Sequence, residues 1–247
     1  MTAPSRRILR ISGSANRDFL QGLITNDITH IDAGLVYAAL LSPQGKYMAD
    51  FFLTADGDDV LLDADAAQAD MLAQRLTMYK LRADVQIAAT DLHLHRGLGD
   101  IPDDAMTDPR HEALGWRAYR EAPQDDDATD WNALYVTHMI PQSGVELTPD
   151  TFILEVGFER IHGVDFRKGC YVGQEVTARM KHKTELRKGL AKVSVQGDAA
   201  TGTPITVGDK PAGTLLTRAG DLALAYLRFD RATGEMKADA ATVTRID

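Results

Sequence analysis

Residues 168–175 read Lys168-Gly169-Cys170-Tyr171-Val172-Gly173-Gln174-Glu175, and Arg179 follows four positions after the glutamate. Gly169 and Gly173 bracket the Cys-Tyr-Val unit and allow the backbone to turn sharply or to approach a ligand closely. Arg167 and Lys168 set two cations beside Cys170, surroundings that favour a reactive thiolate. The plainer reading of a lone thiol is a small core hydrophobe. Glu175 and Arg179, spaced i to i+4, suit either a helical ion pair or contact with a ligand.

Outward from this stretch the charge is segregated. Between Arg160 and Lys192 stand nine basic and three acidic residues, in a chain whose formal net charge is -9. A positive surface on an acidic protein attracts an anionic ligand locally. A tRNA-binding reading draws on Arg179, Lys181, Lys183, Arg187 and Lys188. Single-strand binders interleave aromatics for base stacking, however, and from Arg179 to Lys192 there is none. Direct nucleic-acid binding is therefore the lesser alternative.

The 247 residues, 44% hydrophobic and 26% charged, suffice for a sizeable core in one large or two to three small modules. Apolar runs such as Leu35 to Leu41 are too short to span a bilayer, and polar residues break up any leader-like segment near Arg6 and Arg7. One cysteine excludes an intramolecular disulfide and a Cys-x-x-Cys pair. A reducing cytoplasm is the expected location, with no membrane partner. His93, His95 and the other histidines show no metal-ligand spacing, so no metal site is expected.

The periodicities predict α+β organisation. A short amphipathic helix is expected over about 14–25, a hairpin from Gly34–Leu41 and Tyr47–Thr54 joined by the turn residues of Ser42-Pro43-Gln44-Gly45-Lys46, a strand from Val60 to Asp63, and a helix ending near Tyr79. Alternation at Ala83, Val85 and Ile87 predicts another strand. Ten acidic residues against three arginines between 100 and 130 read as a solvated linker and an exposed helix start. Trp116 and Trp131 read as core or module-interface residues. After about 187, short alternating runs separated by Gly-Asp turns predict an all-β barrel or sandwich. The modules are placed at 1–90, 91–186 and 187–247, interleaved at approximate boundaries.

The 168–179 stretch resembles the signature of the YgfZ-type folate-binding proteins, relatives of the glycine-cleavage T-protein (aminomethyltransferase) that assist iron–sulfur proteins. Asp18 to Asp27, Leu41 to Lys46 with Asp50-Phe51, Tyr79 to Arg82, Leu154 to Gly157 and the C-terminal strands agree with that superfamily in order. The resemblance implies a T-protein-like multi-module α+β fold around a central folate cavity, ending in an all-β barrel. It implies tetrahydrofolate or a one-carbon derivative as cofactor, with Lys168, Tyr171, Gln174, Glu175, Arg179, Asp50 and Glu155 as candidate binding residues. Basic Lys168, Arg179 and Lys181 suit the carboxylated tail, a carboxylate such as Glu155 or Glu175 the pterin N–H groups, and Tyr171 or Trp131 its ring face.

In the T-protein the loop aligned with Gly45 continues to two aspartates. Here Ala49-Asp50 keeps one, which weakens the alternative of aminomethyltransferase activity. Cys170 is the candidate catalytic residue, as a nucleophile or as one ligand to a transient cluster. One thiolate cannot hold a cluster alone. The resemblance therefore favours an accessory factor for assembly or repair of iron–sulfur clusters on client enzymes, tRNA-modifying ones among them, with clients or assembly machinery as partners.

Overall fold

The structure is a computed structural model that describes residues 5–125, 128–182 and 185–246. It divides into two compact units, each assembled from two stretches of chain: Met1–Asp127 with Glu159–Val176, and Ala128–Phe158 with Thr177–Asp247. The segment 91–186 thus contributes to both units.

The first unit opens with β1 (Arg6–Ser12) and a short helix α1 (Asn16–Gln21). Buried Asn16 donates to the carbonyls of Ile11 and Asp58 and fastens the start of α1 to the sheet. The helix expected over 14–25 is this shorter one: Ile24 leaves it to form a bridge with Leu40. β2 (Val36–Leu41), β3 (Tyr47–Asp56) and β4 (Asp59–Asp65) realise the expected hairpin and its following strand. α2 (Ala66–Tyr79) is capped by Asp65 and buries Ala69, Leu72 and Leu76 along one face. β5 (Gln86–Ala89) begins later than the alternation suggested, since Ala83 to Val85 form a tight turn. The antiparallel sheet has the order β2-β3-β4-β1-β5.

Period-two alternation separates its faces. Leu9, Leu40, Phe51, Leu53 and Leu62 turn to one side and pack with Leu20, Leu72 and Leu76 of the helices. The other side carries Tyr37, Phe52 and Asp63, neighbours across β2, β3 and β4 in the register Tyr37↔Phe52 and Phe52↔Asp63.

That second face accounts for the acidic segment. Just after β6 (His93–Gly97), the region expected to be a solvated linker contains β7 (Met106–Thr107) and β8 (Trp116–Arg120), which pair with it in the order β6-β8-β7. Asp108 is 4% exposed, ion-paired with Arg110 at 2.7 Å and with Arg117 at 3.5 Å. Arg117 also pairs with Asp63 at 2.6 Å, and Asp63 with Arg6 at 2.6 Å. Three guanidinium groups lie over Phe52, the nearest being Arg117 at 3.9 Å from the ring centre. Compensation by these arginines lets acidic residues enter the interior. Elsewhere in the segment, exposed Asp104 pairs with Arg120. Asp126 and Asp127 lie outside the described residues.

In the second unit, Asp130 caps α3 (Trp131–Thr137), which buries Trp131, Tyr135 and Val136. Helix α4 (Gln174–Lys181) follows the signature loop. β9 (Lys188–Gln196), β10 (Pro204–Val207), β11 (Lys210–Ala219), β12 (Leu222–Arg228), β13 (Glu235–Ala238) and β14 (Ala241–Arg245) close a barrel in the order β10-β11-β12-β9-β14-β13. Its interior holds Val193, Val195, Leu215, Met236 and Val243. At Gly213 a Cβ would lie 2.2 Å from the Tyr226 carbonyl, so only glycine permits the close approach of β11 to β12. The β11–β12 register shifts between Leu215 and Arg218, and there buried Glu146 accepts the Thr217 N–H. Its other oxygen accepts from the Gln142 N–H.

Candidate functional site

The loop carrying Cys170 is pinned to the first unit from both sides. On its N-terminal side the polar run Thr25-Asn26 takes up the backbone of 162–165. The Thr25 hydroxyl donates to the Gly163 carbonyl at 2.7 Å, the Asn26 amide to the His162 carbonyl at 2.7 Å, and the Asp165 N–H to the Thr25 carbonyl. Lys168 completes the attachment. Its Nζ donates to the carbonyls of Gln21, the last residue of α1, and of Ile24, three residues beyond it. The end of a helix leaves carbonyls without helical partners, and a lysine ammonium satisfies them. Nζ also lies 5.1 Å from the centre of the Tyr171 ring. Lys168 is buried, and burial pushes its pKa down to about 8, against the opposing pull of Asp27 and Asp165.

On the C-terminal side Tyr171 is buried and Val172 packs on the core of the first unit. Gly173 adopts φ +85°, and a Cβ there would lie 2.7 Å from the Ser42 carbonyl. This is the hairpin turn that the sequence assigned to Ser-Pro-Gln-Gly-Lys. Two glycines of separate motifs are thus required where the loop meets the turn: at Gly45, φ +73°, a Cβ would meet Val176 at 2.7 Å. Between these anchors Gly169 and Cys170 remain exposed, and the thiol is free. Cys170 is therefore not the small core hydrophobe of the plainer reading. It sits at the apex of a fixed loop, open to a partner or reagent.

The remaining candidates are placed differently. Asp50 is buried on the second face of the sheet. Its two oxygens accept from the hydroxyls of Tyr37 at 2.9 Å and Tyr47 at 2.6 Å. Glu155, in the second unit, accepts a short hydrogen bond from the Tyr226 hydroxyl and has the Lys188 ammonium 3.8 Å away. Burial, then this bond and the carboxylate charge, push the Tyr226 phenol well above its ordinary value. Gln174 and Glu175 open α4 and Arg179 lies in its last turn; Glu175 and Arg179 are both exposed. No ion pair joins Glu175 to Arg179 among the described residues. Trp131, the alternative ring platform, is buried in α3. Lys183 lies outside the described residues.

Sequence reasoning missed Tyr37, Tyr47 and Tyr226, which hold the two candidate carboxylates. Their signal is weak: a strand tyrosine looks like any other aromatic until the fold brings a carboxylate to it, diagonally across from β2 to β3 for Tyr37, three residues along the same strand for Tyr47, and from a turn 71 positions earlier for Tyr226. For Lys168 the expectation of a ligand-facing cation meets a different geometry, in which two of its three donors point to the protein's own backbone.

Comparison with known proteins adds to this geometry. Residues 187–246 match the family described as CAF17, C-terminal beta-barrel domain. The chain is 30% identical over 224 residues to "Iron-sulfur cluster assembly factor IBA57 homolog, mitochondrial" of Mycosarcoma maydis, an alignment covering 77% of this chain and 56% of that protein. It is 28% identical over 281 aligned residues to "Iron-sulfur cluster assembly factor IBA57, mitochondrial" of Mus musculus, covering 94% of this chain and 78% of that one. The chain thus spans little more than half the length of the fungal relative. Among solved structures, the glycine cleavage system aminomethyltransferase T from Bartonella henselae superposes with a TM-score of 0.77 at 12% identity, over 98% of this chain and 83% of the other. The chain has the aminomethyltransferase T fold, ending in a closed six-stranded barrel.

Proposed function

We propose that this protein is an accessory factor for the assembly or repair of iron–sulfur clusters on client enzymes, tRNA-modifying enzymes among them, and that it uses tetrahydrofolate or a one-carbon derivative as ligand. The observation that carries the reading is the exposed Cys170 on a loop anchored before and after it. A single thiolate supplies one of the roughly four ligands a cluster needs. The chemistry thus calls for a second protein that brings the others, with Cys170 completing or handing over the cluster. Similarity to proteins named iron–sulfur cluster assembly factors supports this role. The reading places the protein in the cytoplasm, where a reducing environment keeps an exposed thiol available.

For folate, the residues of α4 are the better fit. Exposed Arg179 suits a tail carboxylate, and Gln174 and Glu175 offer amide and carboxylate groups. Asp50 and Glu155 fit a pterin only in exchange for the tyrosine hydroxyls they now accept. Retention of a single aspartate, itself held by two tyrosines, also argues against methylene transfer of the aminomethyltransferase kind. The test pairs two measurements. Cys170→Ser should fail to restore client iron–sulfur enzyme activity in cells lacking the protein, while calorimetry with tetrahydrofolate and 5-formyltetrahydrofolate should show binding that weakens with salt. Full complementation by Cys170→Ser would remove the cluster role, and no heat with either folate would remove the ligand.

A further inference from the structure

The turn after α2 holds a side chain that the fold does not use. Leu81 follows Lys80, the C-cap of α2, and adopts φ +45°. That position commonly takes left-handed backbone and is usually filled by glycine or asparagine, because a Cβ is strained there. Leu81 is also 87% exposed, the most exposed large apolar residue among those described, and Met78, three residues earlier in the last turn of α2, is 61% exposed. Every bond that holds the turn is made without the Leu81 side chain. The Ala83 N–H donates to the Lys80 carbonyl, the Lys80 ammonium to the Val85 carbonyl, and Ser14 to the Asp84 carboxylate. A bulky apolar side chain therefore stands in water, on backbone that disfavours it, with no structural return.

We propose that Leu81 and Met78 form the apolar centre of a docking surface for a partner protein whose contact face is acidic. From Met71 to Asp84 the sequence contains Arg75, Lys80 and Arg82 against a single acid, Asp84, whose carboxylate accepts from Ser14, in a chain of net charge -9. Methionine and arginine are enriched in protein interfaces, and a basic rim around an apolar knob selects a socket edged by carboxylates. The same turn holds Ser14 and Ala15 ahead of α1, and Lys168 holds Gln21 at its end. The docking turn and the Cys170 loop are thus fastened to opposite ends of one six-residue helix, about 9 Å long. The docking surface holds whether or not the partner is an iron–sulfur protein.

Two measurements on the full chain test it. Leu81→Gly and Leu81→Asn should melt at or above the parent temperature, because each relieves the left-handed position; a fall beyond about 4 °C would make Leu81 a structural residue and overturn the proposal. Second, a photo-cross-linking phenylalanine at position 81 should, in cells, yield an adduct to another protein at a peptide rich in Asp or Glu. Arg75→Glu with Arg82→Glu should abolish that adduct, and Cys170→Ser should leave it intact. No adduct, an adduct only to a second copy of this chain, or one indifferent to the charge reversal would each overturn it. Loss of the adduct in Cys170→Ser would instead make docking depend on the thiol and overturn the separate surface.

Discussion

The ammonium of Lys168 lies 2.6 Å from the carbonyl oxygen of Ile24, a residue 144 positions earlier in the chain. With the second bond to Gln21 it joins the Asp18–Asp27 stretch to the Lys168–Glu175 stretch, two motifs that the sequence presents as unrelated segments.

Lys168→Met keeps the aliphatic stem and removes the donors. It should cost about 1–3 kcal/mol in urea denaturation, the penalty of leaving buried acceptors unmet, and should expose the 165–171 backbone to limited proteolysis. The pH dependence has a definite sign. The folded value near 8 lies below the ordinary 10.5, so the unfolded chain binds more protons between them. Stability from this group therefore rises as pH increases from about 8 towards 10.5, and Lys168→Met should flatten that rise.

Asp63 sits between Arg6 and Arg117, each at 2.6 Å. Burial raises its carboxyl pKa, but the two guanidinium groups more than offset this and hold it below the ordinary value; Asp108 is held down in the same way by Arg110 and Arg117. Asp63→Asn removes the carboxylate shared by buried Arg117 and partly exposed Arg6, leaves Arg117 only its longer pair with Asp108, and should destabilise the first unit by about 3–5 kcal/mol, read from chemical denaturation. Because the folded values are depressed, this stability is complete above about pH 4 and is lost as pH falls further. Thermal melts from about pH 6 to about pH 3 should show the loss, much reduced in Asp63→Asn.

Gly173 combines positive φ with a Cβ position 2.7 Å from backbone at Ser42. Gly173→Ala should lower stability by about 1–3 kcal/mol through strain alone. It should also displace the Cys170 loop. The rate of Cys170 alkylation should then differ from the parent, whereas Gly144→Ala, where a Cβ meets nothing within 4 Å but φ is also positive, should alter stability without altering that rate.

Glu146 is buried and accepts from two backbone N–H groups, at Gln142 and Thr217. Glu146→Ala should cost about 2–6 kcal/mol, since each of the two abandoned donors carries a penalty of about 1–3 kcal/mol. Hydrogen exchange should locate the effect at the irregular stretch of β11 and spare the sheet of the first unit.

The extent to which the site was legible in the sequence differs from residue to residue. The hairpin and its turn were readable because alternation and Pro-Gly chemistry act within a few residues. The loop of Cys170 was recognisable from its bracketing glycines, and the free thiol from the cysteine count. The acidic segment was read correctly at its end, where exposed Asp130 starts α3, and misread before it because charge density says nothing of partners: Asp108 is interior on account of Arg110 two residues on and Arg117 on the neighbouring strand. Lys168 looked like a ligand contact for the same reason, since a long flexible cation has no local signal for what it will reach.

By itself, then, the sequence determined the hairpin of β2 and β3, the all-β character of the terminal module and the glycine-bracketed lone thiol, all of which follow from period, turn chemistry and composition over short spans, whereas the exposure of that thiol and the closure of the barrel came with the fold. Only the tertiary structure decided which polar groups are already spent. Asp50 is held by Tyr37 and Tyr47, Glu155 by Tyr226, and Lys168 by the end of α1. Those assignments depend on strand register and on chain segments brought together from far apart. Burial of a charge is tolerable only where such a partner arrives, and arrival is a property of the folded chain.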